Sequence, residues 1–171
     1  LSRIDPPSQE LYFNNVKAHL IRNYSSSRES DSAQYFGADN WFGPIRAHTV
    51  LDCGAYNGDT FHALLGAGIH FKRYVGIEPN TKNCKTLKTV TSEANVDIRI
   101  VNIALGKSPG WGQLTDDAGS STLIFNGDAS SGGQVRIDTI DGLQEKNISL
   151  IKMDIEGYEL EALEGADSVL T

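Results

Sequence analysis

The run Val50-Leu51-Asp52-Cys53-Gly54-Ala55-Tyr56-Asn57-Gly58-Asp59-Thr60 constrains the fold more than any other stretch of the sequence. Apolar residues end in an acid, a turn with two glycines follows, and a helical pattern opens directly after. That order predicts a strand, a tight loop and a helix N-terminus. Glycines let the backbone approach a ligand, and a helix N-terminus offers unpaired N–H groups. A second acid, Glu78, ends the next apolar run, Tyr74-Val75-Gly76-Ile77. Two carboxylates at the ends of adjacent strands suit a ribose with two free hydroxyls.

The same alternation continues along the chain. Residues 48–53 read as strand one, and 60–65 as a helix ended by Gly66 and Gly68. Residues 71–77 read as strand two. Pro79-Asn80-Thr81 opens a helix whose apolar positions are Cys84, Leu87 and Val90. Residues 96–105 read as strand three, and 111–125 and 134–140 as shorter antiparallel strands around a flexible 127–133. Residues 148–155 are a further apolar strand. Residues 158–170 are helical, with Leu160, Leu163, Ala166 and Leu170 expected inward. Strands alternating with helices imply βαβ units, hence an α/β fold with a doubly wound, mostly parallel sheet. Ligands of such sheets lie at the carboxyl ends of the strands. Asp52, Glu78, Asn102 and Asp154 all fall at or near those ends.

Upstream, Asp5-Pro6-Pro7-Ser8 starts an amphipathic helix running to about Arg22, and residues 25–40 are polar and serine-rich. Residues 1–47 are therefore expected as a helix-and-loop extension, and 48–171 as the ligand-binding domain. Trp41-Phe42-Gly43-Pro44 reads as an aromatic plug at the sheet edge or a lid. The formal net charge of -7 argues against nucleic acid as the main partner. No apolar run approaches a membrane span. The two cysteines, Cys53 and Cys84, belong to no metal-binding cluster and read as buried thiols, which suits a reducing, cytoplasmic setting. The sequence opens at Leu1 without a methionine, as a piece of a longer protein would.

A dinucleotide site favours Gly-x-Gly-x-x-Gly at the first turn. Here bulky Tyr56 replaces one glycine, and Asp52 stands where a pyrophosphate would be repelled. A ligand with a ribose and an ammonium or sulfonium suits the turn better, and S-adenosylmethionine has these groups. A dinucleotide-dependent oxidoreductase is the weaker alternative.

The chain resembles the FkbM family of S-adenosylmethionine-dependent methyltransferases, within the class I Rossmann-like fold. The matching pieces are residues 51–60, Gly76-Ile77-Glu78-Pro79, Asn102-Ile103-Ala104-Leu105-Gly106, Arg136-Ile137-Asp138-Thr139-Ile140-Asp141 and Ile151-Lys152-Met153-Asp154-Ile155-Glu156-Gly157-Tyr158-Glu159. Class I enzymes carry further strands after the fourth parallel one, so the core is expected to be truncated after that strand and its helix. The resemblance implies transfer of a methyl group to a hydroxyl of a small sugar or secondary-metabolite acceptor. A non-catalytic cofactor-binding scaffold is the alternative from another class. The oligomeric state is not legible.

The resemblance also implies roles. Glu78, beside Pro79, holds the ribose hydroxyls. Gly54 and Gly58 let the methionine moiety lie against the loop, with a plain strand–helix turn as the alternative, and Ala55 and Tyr56 belong to the same cofactor-binding turn. Asp52 reaches its ammonium, with bracing of the loop as the equal alternative. Asn57, Asp59 and Thr60 contact the ligand or cap the first helix, and capping is favoured for at least one. Asn102 to Ala104 flank the adenine, against an ordinary strand end.

Asp154 and Glu156 are the candidate catalytic pair. Two apart in an extended strand, they point the same way. Methyl transfer to an alcohol is an in-line displacement, and a carboxylate that takes the hydroxyl proton assists it. The donor's positive charge disappears on transfer, so a carboxylate on the sulfur would slow the step. Asp154 is therefore expected at the cofactor–acceptor junction and Glu156 toward the acceptor; the competing reading makes Glu156-Gly157 only a helix start. No metal is expected. His62, early in the first helix, reads as a partly buried structural residue ahead of one that reaches the acceptor, and Lys152 as a structural ion-pair partner or sheet-face residue. Ser120, Ser121 and Thr122 read as acceptor-cleft lining or a hairpin tip.

Overall fold

The computed structural model describes residues 46–117, 120–125 and 134–171. The expected N-terminal helix, the serine-rich stretch, the Trp41–Pro44 turn and residues 127–133 lie outside them. Four parallel strands form the main sheet: β1 (Arg46–Cys53), β2 (His70–Ile77), β3 (Asp97–Val101) and β8 (Ile148–Met153), in the order β3-β2-β1-β8. Helix α1 (Asp59–Gly66) links β1 to β2, and α2 (Thr81–Thr91) links β2 to β3. A second sheet has the order β4-β7-β5-β6, from Ala104–Leu105, Gln134–Asp138, Gly110–Asp117 and Ser120–Phe125. Helices α3 (Glu159–Glu164) and α4 (Asp167–Leu170) follow β8. This is the α/β, doubly wound arrangement expected from the alternation. No described helix is long and apolar enough to cross a membrane.

Period-two side chains cover both faces of the main sheet. Leu51, Cys53, Val75 and Ile77 pack on Ile103, Leu105, Ile140, Ala162 and Ala166. On the opposite face, the Phe61 ring from α1 stands edge-on to Tyr74 at 4.9 Å and to Phe71 at 6.0 Å. Both cysteines are buried free thiols, as the sequence suggests. The Asn80 side chain accepts the Lys82 and Asn83 N–H groups and so fixes the start of α2.

Three expectations need correction. The third strand does not run through 96–105. It stops at Val101, and Ala104–Leu105 pair with Ile137 and Asp138 of the second sheet. The cause is Asn102, whose amide donates to the Glu78 and Pro79 carbonyls and draws the chain off the ladder. Second, residues 111–125 form two antiparallel strands, β5 and β6, rather than one element. Third, the last helix breaks at Gly165–Ala166. Ala162 and Ala166 are its buried residues, while Leu160, Leu163 and Leu170 are exposed at 66%, 41% and 57%. A Cβ on Gly165 would stand 2.4 Å from the Gly106 carbonyl oxygen, so only glycine fits this close approach.

A charged clasp closes the amino end of the sheet. Glu145, before β8, accepts two parallel bonds from Arg73 of β2 (2.8 Å each) and one from Arg99 of β3 (2.6 Å). Arg73 also pairs with Asp97. Hydrogen bonds from Arg73, then Arg99, hold the Glu145 carboxyl below its ordinary value. A depressed native pKa supplies stability that is present above the unfolded pKa and lost as pH falls through the native one. We expect Glu145→Gln to lower stability by about 1–3 kcal/mol at pH 7, the scale of hydrogen bonds to charged groups. The gap from wild type should shrink as pH falls below about 4.5, the ordinary value of this carboxyl. Urea denaturation from pH 3 to pH 7 checks both.

Candidate functional site

The carboxyl ends of β1, β2 and β8 converge on one buried network. Asp52 pairs in register with Gly76 on β2 and Lys152 on β8. Its carboxylate is fully buried. Oδ2 accepts the Tyr74 hydroxyl at 2.5 Å, and the Lys152 ammonium stands 3.3 Å from Oδ1. Burial drives the Asp52 carboxyl up to about 6, against the opposing pull of Lys152 and then Tyr74. Burial and the neighbouring Asp52 charge also raise the Tyr74 phenol. Gly76 makes the network possible, since a Cβ there would lie 3.0 Å from Tyr74 Cε1 and 2.8 Å from Leu87 Cδ2. The sequence reading of Lys152 as an ion-pair partner fits this placement.

The glycine turn is set by the protein's own packing. Gly54 has φ 80°, and a Cβ there would stand 1.9 Å from the Asp154 carbonyl oxygen. Gly58 has φ 96°, with Val90 Cγ1 2.9 Å from its would-be Cβ. Gly54 and Ala55 donate their N–H groups to the Ile77 carbonyl, and Lys152 donates to the Gly54 carbonyl at 2.9 Å. Ala55 is buried, whereas Tyr56 is exposed and holds φ 44°, a left-handed conformation costly for a bulky residue. The N-cap of α1 is Gly58, with no side-chain cap. Asn57 Oδ1 accepts the Asp59 N–H instead, and Asp59 Oδ1 accepts that of Thr60 at 2.7 Å. Thr60 is buried, with an unbonded hydroxyl. His62 is exposed rather than partly buried, because it follows Phe61 on the outer side of α1.

Glu78 ends β2 beside this turn. Its Oε2 accepts the Tyr56 N–H at 3.0 Å, and Oε1 accepts the Asn80 N–H (2.9 Å) and the Asn83 amide (3.2 Å). Cys84 donates its thiol to the Glu78 carbonyl at 3.1 Å, and burial lifts that thiol to about 11. Asn102 is exposed and ties Glu78, Pro79 and Thr81 together. Ala104, expected beside it, is buried with Val135 and Ile137 in the second sheet's core.

Asp154 and Glu156 are both exposed, just past the end of β8. The period-two argument for their shared direction does not hold, because the strand stops at Met153 and Glu156 turns left-handed with φ 57°. Gly157 follows at φ 95°. The turn is braced by Glu159, whose Oε1 accepts the Ile155 N–H at 3.0 Å and the Gly157 N–H at 3.3 Å. These bonds, the Ile155 one foremost, lower the Glu159 pKa. Sequence reading missed Glu159 and Tyr74. The usable signals were an acid three residues past Glu156, and a tyrosine two residues before a strand glycine. No group of metal-binding side chains occurs among the described residues.

A family model described as the methyltransferase FkbM domain matches residues 52–171. The chain belongs to the FkbM methyltransferase family. Its fold matches the crystal structure of methyltransferase FkbM from Methylobacillus flagellatus KT, with a TM-score of 0.69 and 24% identity. That match covers 98% of this chain and 42% of the other, so the chain spans less than half the length of that relative. Partial likenesses reach the cyclopropane synthase MmaA2 from Mycobacterium tuberculosis (TM-score 0.31, 21% identity, 35% of this chain, 21% of that one). They also reach the YcgJ protein of Bacillus subtilis (TM-score 0.28, 21% identity, 34% of this chain, 25% of that one). No curated protein matches the chain.

The brace makes a local prediction for this FkbM domain. Glu159→Ala should cost about 1–2 kcal/mol, the loss of bonds to a charged acceptor. Glu156→Gly should recover up to about 1 kcal/mol, since glycine takes a positive φ without steric cost. Denaturant midpoints of the two variants check the opposite signs.

Proposed function

We propose that this FkbM-family chain binds S-adenosylmethionine at the carboxyl ends of β1 and β2 and serves methyl transfer to a hydroxyl oxygen of a small molecule. The observation that carries the reading is the placement of Glu78. Its carboxylate ends the strand beside the glycine turn, anchored by three N–H donors from Tyr56, Asn80 and Asn83. A carboxylate offers about four acceptor sites, so capacity remains for a ribose hydroxyl. The turn itself presents backbone rather than phosphate-binding side chains. These features fit a nucleoside with an amino-acid tail.

When bound, the cofactor supplies an electrophilic methyl group on a positively charged sulfur. The protein's own residues have separate tasks. Glu78 orients the ribose, with Asn102 fixing the loop that carries Glu78 and Pro79. Gly54, Ala55, Tyr56 and Gly58 shape the wall for the tail, with Asn57, Asp59 and Thr60 at the helix end behind it. Asp52 supports that wall from beneath, through Lys152 and Tyr74. Its full burial favours this role over direct contact with the ligand ammonium. Asp154 stands at the cofactor–acceptor junction, and Glu156 accepts the proton of the acceptor hydroxyl as the new bond forms. A sugar or secondary-metabolite hydroxyl is the acceptor class the reading favours.

Calorimetric titration with S-adenosylhomocysteine tests the cofactor assignment. Wild type should bind, Glu78→Ala should lose at least tenfold in affinity, and NAD should not compete. Glu156→Gln should keep that affinity while turnover on an identified hydroxyl acceptor falls by roughly 10²-fold or more, the usual worth of a general base. Unchanged turnover would remove Glu156 from the mechanism. Binding without methylation of any acceptor by the complete protein would support a scaffold role instead.

A further inference from the structure

Among the described residues, the Lys152 side chain joins the buried acid to the glycine turn. That side chain is only 11% exposed. It stands 3.3 Å from Asp52 Oδ1 and donates to the Gly54 carbonyl at 2.9 Å. Gly54 cannot relax by shifting toward β8, because the Asp154 carbonyl fills the place of its Cβ. The groups facing Asp52 are Tyr74 from β2, Lys152 from β8 and Asp59 from α1, with Cys53 beside it on β1. Lys152 is the one cation among them, and a nearly buried ammonium needs a counter-charge to stay in place.

We propose that Lys152 is a positioning residue for the cofactor turn, holding the Gly54 carbonyl more firmly while Asp52 is ionised, so that protonation of Asp52 loosens the turn and weakens ligand binding. Rising acidity removes the negative charge on Asp52. The Asp52–Tyr74 hydrogen bond can persist with a neutral acid, but the attraction on Lys152 disappears. The ammonium loses the attraction of the neighbouring acid, and its hold on the Gly54 carbonyl weakens. The ligand seated on that turn meets a less ordered wall. The geometry supplies the coupling, and burial of Asp52 moves its titration toward neutral pH. By linkage, a ligand that prefers the ionised form binds more weakly as pH falls through that titration, by up to tenfold per pH unit at the limit. The inference rests on the cofactor reading above and adds a regulatory property to the same site.

The test is the affinity for S-adenosylhomocysteine measured by calorimetry between pH 5 and pH 8. Wild type should weaken at least fivefold between pH 7.5 and pH 5.5. Asp52→Asn, which holds the acid permanently neutral, should bind weakly at pH 7.5 and show a flat profile. Lys152→Met should likewise be weak and flat, whereas Lys152→Arg, which keeps a cation, should retain the slope. Circular dichroism on each variant identifies any that has unfolded, and the wild-type profile decides the matter even if one has. A flat wild-type profile, or a slope that survives in folded Asp52→Asn, overturns the proposal and leaves the cofactor reading standing. No binding by wild type at pH 7.5 overturns the cofactor reading, and this proposal with it.

Discussion

Asp52 ties three strands together from inside the sheet. One oxygen takes the Tyr74 hydroxyl from β2, and the other faces the ammonium of Lys152 on β8. A buried carboxylate is costly unless its neighbours compensate. That cost explains several otherwise unrelated residue choices. Gly76 must be bare so that the Tyr74 ring can lie over it. Lys152 must interrupt an apolar strand. Phe61 must close the far side of Tyr74 so that water stays out. The acid is the node around which β1, β2 and β8 are kept in register.

The upper end of the sheet is built from two turns that contain residues in unfavourable backbone conformations. Tyr56 and Glu156 both hold positive φ, and each turn is fixed by a carboxylate accepting N–H groups. Glu78 secures the first and Glu159 the second. The two turns meet where the Asp154 carbonyl occupies the space beside Gly54. A sheet end arranged in this way carries local strain that the surrounding bonds sustain, which is common where backbone must be presented to a ligand.

The periodic features were legible in the sequence because they rest on patterns that tertiary structure seldom overrides. Long apolar runs gave β1, β2 and β8, and Asn80 announced α2. The α/β alternation followed from their order. Failures occurred where one side chain redirects the backbone. Asn102 pulls strand three off its ladder, and nothing in the apolar run 96–105 signals that an amide will find two carbonyls. In the last helix Ala166 is buried as expected, but leucine spacing hid Ala162 and placed Leu160, Leu163 and Leu170 inward, where they are exposed. At the site, the positions of Asp52, Glu78 and the glycines were readable from the strand–turn–helix pattern. The links among Asp52, Tyr74 and Lys152 were not, since they join residues 22 and 100 positions apart through strand register alone.

The clasp of Glu145 with Arg73 and Arg99 lies at the opposite end of the strands from these turns. Arg73 precedes Ile77 by four residues, or about 13 Å along an extended strand. The ionic clasp and the strained turns thus occupy separate territories on one sheet. Side chains in the upper turns can be exchanged without entering the ionic cluster below. Such a division gives the scaffold evolvability: the turns can vary at one end while the other keeps the strands assembled.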